Sequence, residues 1–228
     1  MIILRNLAFY LVFYLSSLPI FFVAAIGVYV SRPLLRKACE GWSAWHRWCC
    51  RWLLGIKVVE TGTRPEGPAF YAIKHESFFE AIDVPHLFDH PAGFAKQELF
   101  EIPAWGKAAR AYGAVPVARD EGAKTLRFMV REITPMAAAG RPVVIFPEGT
   151  RLPHGERAPL QSGFALLYKL LKLPVVPVAV NSGPLYHRRW KRSGTLTIHF
   201  GEAISPGLSR EEIESRVHDG INALNSKT

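Results

Sequence analysis

A long uncharged, mostly apolar run stands at the front of the chain, and apolar residues then break into short alternating blocks. From Leu7 to Val30 there are 24 residues without a charge, LAFYLVFYLSSLPIFFVAAIGVYV. As a helix they reach ~36 Å at 1.5 Å per residue, enough for a hydrocarbon core of ~30 Å. A secretory signal peptide has a shorter apolar region and a small-x-small cleavage site, and neither fits here, so the segment reads as retained. Pro19 in its middle leaves a kink or a re-entrant hairpin open. From Leu34 to Leu54, four tryptophans (Trp42, Trp45, Trp48 and Trp52) stand among Arg and Lys. That pattern suits a helix lying in the membrane interface, the alternative being that some of the tryptophans pack on the soluble part.

Beyond residue 55 the texture changes to short β-branched or apolar runs at Ile56–Glu60, Ala69–Ile73, Ala114–Ala118, Val143–Phe146, Val175–Val180 and Thr195–Phe200. These predict strands. Helical stretches are predicted between them at Ser77–Phe88, Leu99–Tyr112, Glu121–Ala139 and Leu160–Leu171. A last helix follows Ser209, which with Glu212 matches a capping box, and Ile213, Val217, Ile221 and Leu224 recur at helical spacing. Alternating strand and helix implies an α/β fold with a single central mixed sheet flanked by helices. The expected division is a membrane-anchoring helical region at 1–55 and one α/β domain at 56–228.

Composition sharpens this picture. With 228 residues, 49% hydrophobic and 21% charged, the chain is neither disordered nor a highly charged coiled coil. Its formal net charge of +9 suits an anionic partner, either nucleic acid or a phospholipid surface. Beside an apolar N-terminus, anionic lipid is the better partner for the basic run His187-Arg188-Arg189-Trp190-Lys191-Arg192, a solvated loop being its alternative; no nucleic acid is expected. Arg5 precedes the apolar segment, whereas Arg32, Arg36, Lys37, Arg47 and Arg51 follow it against Glu40 alone. That bias puts the remainder on the cytoplasmic side. Three cysteines, Cys39, Cys49 and Cys50, do not form a disulfide framework.

Three segments carry candidate chemistry, the first two directly after predicted strands, where ligands collect in α/β folds. In Lys74-His75-Glu76-Ser77-Phe78-Phe79-Glu80, a His at a strand-to-helix turn has carboxylates at Glu80 and Asp83 to orient it as a general base. In Phe146-Pro147-Glu148-Gly149-Thr150-Arg151, the glycine permits close backbone approach, the threonine offers a hydroxyl and the arginine a planar fork for phosphate. The third, from Lys96 to Arg119, has basic residues at both ends that suit an anionic pocket. His86 and His90 lie four apart, but no third or fourth ligand accompanies them and no metal is expected.

In this order and spacing the segments resemble the glycerolipid acyltransferases, particularly bacterial 1-acyl-glycerol-3-phosphate acyltransferases. Four motif blocks have counterparts: His75 to Glu80; Lys96–Arg119 with Pro103, Gly106 and Gly113; Phe146–Arg151; and Val175–Gly183. The resemblance implies acyl transfer from acyl-CoA or an acyl carrier protein thioester, as co-substrate and without a cofactor, to a lysophospholipid hydroxyl at an inner membrane. It makes His75 the base and Glu80 its partner, with Asp83 ranked second. It assigns the acceptor's phosphate and glycerol to Glu148, Gly149, Thr150 and Arg151, with Arg119 and Lys96 adding charge. Two residues depart from the family pattern: Glu80 stands where Asp is usual, and Gln161 where a lysine is frequent. Rival readings are transfer to another acceptor, such as a lyso-ornithine lipid or glycerol-3-phosphate, and a lipid-binding protein without catalysis.

Overall fold

The computed structural model describes residues 2–118, 122–187 and 189–225. Arg119, Glu121 and Arg188, named above, lie outside the described residues.

The apolar front forms one helix, α1 (Ile2–Val30), which continues through Pro19. The reversal comes at Ser31 instead. Its side chain caps α2 (Arg32–Cys49) by accepting from the Leu34 N–H, with Pro33 in the first turn. At this corner the two helices touch backbone to backbone: a side chain on Gly27 would meet the Leu35 nitrogen at 2.7 Å. A π-helical turn (Cys50–Leu54) and a left-handed Gly55 (φ +74°) then deliver the chain into the sheet.

The strands are β1 (Ile56–Gly62), β2 (Phe70–Ile73), β3 (Ala92–Lys96), β4 (Ala114–Val117), β5 (Val143–Ile145), β6 (Val175–Val180) and β7 (Gly194–Phe200). They form one seven-stranded mixed sheet in the order β1-β7-β6-β2-β5-β3-β4. From β6 across to β4 all pairings are parallel, while β7 runs antiparallel to β6 and carries β1 parallel to itself. The loops leaving β2, β5, β6, β3 and β4 therefore share one edge. Pro177 sits in this inner strand where β7 ends: Phe200 is opposite Val178, and the Pro177 carbonyl accepts from the Gly201 N–H at 2.9 Å just beyond it.

Side-chain alternation divides the core. Tyr71 and Ile73 face a layer holding α1, α2 and α3 (Phe78–Leu87), where Phe9, Phe13, Phe79, Val176 and Val178 are buried. Phe70 and Ala72 face α5 (Gly122–Ala138), α6 (Ser162–Leu171) and α7 (Arg210–Ile221) through Ile133, Phe164, Leu167, Ile213 and Val217. Being buried on both faces, β2, β5 and β6 read as continuous apolar runs. β3 has no such signature: its residues AGFAK have low strand propensity and only Ala92 is buried. The single helix expected at Leu99–Tyr112 is a 3-10 turn (Gln97–Glu101) followed by α4 (Trp105–Tyr112).

α1 is part of this fold along its length. Asn6, Phe9, Phe13, Ser17, Ala24 and Gly27 form one buried stripe. The two phenylalanines alone contribute roughly 1.5–3 kcal/mol each by leaving water. Asn6 donates to the Lys191 carbonyl at 2.9 Å and accepts from its N–H at 2.8 Å, and Tyr10 donates to the Arg189 carbonyl at 2.7 Å. Lys191, expected in a basic surface run, is instead buried, its ammonium close over the Phe9, Tyr10 and Tyr186 rings. The tryptophans divide between the two alternatives. Trp42 and Trp45 donate to Ser17 and Ser16 of α1 at 2.8 and 2.7 Å, whereas Trp48 and Trp52 are 46% and 67% exposed. The outer stripe of α1, including Leu4, Leu7, Leu11, Leu15, Leu18 and Phe22, is exposed as well. An apolar patch of that extent is not a water-facing surface. By length and composition α1 is the one described helix that could cross a membrane.

Candidate active site

The site is assembled at the sheet edge where the parallel strands end. β2 stops at Ile73 and hands over to the turn that carries His75. Ser77 then caps α3, accepting from the Phe79 N–H, and Glu80 completes the capping box by accepting from the Ser77 N–H at 3.0 Å. The same Glu80 oxygen lies 3.3 Å from His75 Nδ1. A purely local cap thus brings the carboxylate to the imidazole, and the two residues form the pair read from the sequence. With Nδ1–H donating to Glu80, Nε2 keeps its lone pair for a proton from outside.

Glu80 has a further partner that the sequence did not pair with it. Ser182, in the loop after β6, hydrogen-bonds the second oxygen of Glu80 and sits 2.8 Å from Ser77 Oγ. Asp83, the alternative partner, goes elsewhere. Both its oxygens accept from the Arg47 guanidinium, at 2.7 and 2.8 Å, tying α3 to α2. Burial is the largest influence on Asp83 and pushes its carboxyl up, with Arg47 opposing it. Asp83 is a structural ion-pair residue.

Phe146 directly follows β5 and stacks on His75, ring centroids 4.2 Å apart at 23°. From there the chain turns through Gly149, whose φ of +70° suits glycine and where a side chain would meet Gln161 at 2.8 Å. Gln161 packs behind this turn and donates to the Glu148 carbonyl at 3.4 Å. Arg151 emerges exposed with its guanidinium 3.8 Å from the Phe78 ring centroid, at the start of α3 and three positions from His75. Thr150 is exposed beside it.

Glu148 points the other way. Its side chain is fully buried against Lys74, also fully buried, at 2.7 Å. Lys74 Nζ donates further to the Glu156 carbonyl and to Asn222 of the segment after α7. Glu148 therefore braces the turn from inside while Arg151 faces out. Lys96 ends β3 on the same edge, half-exposed and paired with Glu98 at 2.8 Å; Arg119 lies outside the described residues.

Below His75 and Phe146 is an apolar cavity of about 220 Å³. Its walls come from α1 (Phe21, Ala24), α2 (Ala38, Trp42), α4 (Ala108) and the sheet, with Phe146 in the lining. Phe146 thus joins the imidazole to a channel of hydrocarbon character.

A family model described as Acyltransferase matches residues 55–181. A Pseudomonas aeruginosa protein named 1-acyl-sn-glycerol-3-phosphate acyltransferase is 28% identical over 209 residues, which is 88% of this chain and 80% of that one. A Helicobacter pylori protein of the same name is 28% identical over 159 residues, 68% of this chain and 62% of its own. The fold matches the crystal structure of the 1-acyl-sn-glycerophosphate (LPA) acyltransferase, PlsC, from Thermotoga maritima with a TM-score of 0.79 and 21% identity, covering 100% of this chain and 99% of that one.

Proposed function

The chain belongs to the acyltransferase family, and from that premise we propose that it transfers a fatty acyl group from a thioester to the free hydroxyl of 1-acyl-glycerol-3-phosphate, giving phosphatidic acid. The observation that carries this reading is the oriented imidazole, 3.3 Å from Glu80 and stacked on the ring that lines the apolar cavity.

His75 Nε2 takes the proton of the acceptor hydroxyl as its oxygen attacks the thioester carbonyl. The new C–O bond forms, the C–S bond breaks, and the departing thiolate of coenzyme A or the carrier protein recovers the proton. Glu80 holds the tautomer and stabilises the imidazolium in between. A thioester is already activated, so no acyl-enzyme is required. Ser77, committed to the helix cap and to Ser182, is a structural hydroxyl.

The acyl chain occupies the cavity, and Arg151, pre-oriented by its stacking on Phe78, clamps the acceptor phosphate with its planar fork. The exposed apolar stripe of α1, together with Trp48 and Trp52, rests in the cytoplasmic leaflet of the inner membrane. The protein-facing stripe keeps α1 beside the domain, so that on this reading the cavity lies next to the leaflet that holds the lysolipid acceptor.

The test is an acceptor screen on purified protein in liposomes. Labelled palmitoyl and oleoyl thioesters, on coenzyme A and on acyl carrier protein, are supplied with lysophosphatidic acid, other lysolipids and glycerol-3-phosphate. Label in phosphatidic acid, lost in His75→Ala without loss of membrane attachment, is the expected result. Label in another acceptor alone would transfer the reading to that acceptor. Activity surviving in His75→Ala would remove the base assignment.

A further inference from the structure

Glu76 follows the base in sequence and takes no part in the steps above, yet its side chain is fully buried. Oε1 lies 2.8 Å from His154 Nδ1, and Oε2 accepts the Gly183 N–H at 2.8 Å. His154 is three residues beyond Arg151 in the loop leaving β5, and Gly183 belongs to the loop leaving β6. A single carboxylate therefore ties together the loops that follow β2, β5 and β6. The Leu152 N–H donates to the His75 carbonyl at 2.9 Å, a second tie between the Arg151 loop and the base. Gly183 leaves little room for anything larger: a Cβ there would lie 3.1 Å from Glu76 Oε2 and 3.3 Å from the His154 backbone nitrogen.

Burying a carboxylate is costly unless its oxygens are partnered. Here burial is the strongest influence on Glu76 and raises its carboxyl above the usual range, while the Gly183 N–H and His154 pull it down. Among the described residues that side chain reaches two partners, both on loops that frame the site. Such an arrangement serves geometry at the loops better than it serves stability.

We infer that Glu76 and His154 are a positioning pair for the acceptor, setting the separation between Arg151 of the 151–154 loop and the base His75. This rests on the acceptor reading above and deepens it: the His75–Glu80 pair governs the chemical step, and the Glu76–His154 pair governs capture of the anionic head group.

The experiment compares acceptor KM, donor KM and kcat for His154→Ala, His154→Asn, Glu76→Gln and the double variant Glu76→Gln/His154→Ala, using the full chain in liposomes with lysophosphatidic acid. A hydrogen bond to a charged group is worth enough to shift affinity about tenfold when lost. His154→Ala and Glu76→Gln are expected to raise acceptor KM by about that factor, with donor KM unchanged and the fall in kcat much smaller. Asn at 154 can place an amide N–H near the position of Nδ1 and should recover most of the loss. The double variant should lose less than the sum of the two single ones, because both substitutions weaken the same contact. A fall in kcat at constant acceptor KM, an unchanged acceptor KM in His154→Ala, or additive losses would each overturn the inference. Turnover by the unsubstituted protein tests the acceptor reading; the ratio of variant to parent KM tests this one.

Discussion

Ser182 hydrogen-bonds the buried carboxylate of Glu80 from 102 positions further along the chain. Glu80 is thereby held on one side by its own helix cap and by His75, and on the other by the end of β6. Removing the hydroxyl leaves a buried carboxylate oxygen short of a partner, a cost of about 1–3 kcal/mol. Ser182→Ala is expected to lower kcat about tenfold with acceptor KM nearly constant. Steady-state kinetics at saturating donor read this directly, and an unchanged kcat would show that Glu80 needs no such brace.

The two acidic residues of α3 should separate cleanly. On the proposed mechanism Glu80→Gln removes the charge that stabilises the imidazolium, and turnover should fall at least a hundredfold, within the usual range for a general base, about 10²–10⁴. Asp83→Asn instead leaves Arg47 without half of a largely buried pair, a loss of about 3–5 kcal/mol. Chemical unfolding should register that loss while the folded fraction keeps its rate. The reverse ranking in kcat would make Asp83 the partner of His75.

The cavity makes a prediction about chain length. Ala108, on α4, lines the cavity and belongs to the apolar cluster formed with Ala24, Leu35 and Ala38. Ala108→Leu shortens the cavity, and each methylene kept out of it forfeits about 0.8 kcal/mol. Exclusion of two methylenes would cost palmitoyl transfer about tenfold relative to octanoyl transfer. Competition assays with the two thioesters measure the ratio, and an unchanged ratio would mean that the acyl chain lies elsewhere.

His46 predicts a pH effect on stability. It is fully buried between Phe13, Phe79 and Tyr186, with Nε2 2.7 Å from the Tyr186 hydroxyl. Burial, reinforced by Lys191 and Arg47, lowers its pKa from 6.5 to about 3. Below pH ~6.5 the unfolded chain therefore binds a proton that the folded chain refuses, and stability falls as pH drops toward 3. The decline is at most about 1.4 kcal/mol per pH unit for one such group. Urea midpoints at pH 7, 5.5 and 4.5 should drop less steeply in His46→Gln than in the parent, and parallel slopes would exclude His46 as the source.

Much of the site was legible in the chain because it is local. His75 and Glu80 are five residues apart and are joined by a helix cap whose Ser-x-x-Glu pattern is visible at Ser77–Glu80. The Phe146–Arg151 turn is encoded by six consecutive residues. What stayed hidden was long-range. Ser182, Lys74 with Glu148, and Glu76 with His154 are ordinary polar residues in the sequence, and only chain crossing brings them within 3 Å of their partners. Glu148 shows the limit well: its motif neighbours pointed to the head group, but its side chain turns inward to Lys74.

The alternation of apolar runs determined the central sheet, because strands buried on both faces must be apolar throughout, and the uncharged N-terminal segment determined a helix that water does not solvate. Strand order and the sharing of one sheet edge by the motif loops came only with tertiary structure, since pairing is set by contacts between residues distant in the chain. The same holds for α1. Its sequence is apolar on every side, and hydrophobicity alone does not distinguish a helix surrounded by lipid from one with a protein face. Asn6 against Lys191, 185 positions apart, made that distinction, because a buried amide must find its hydrogen-bond partners within the fold.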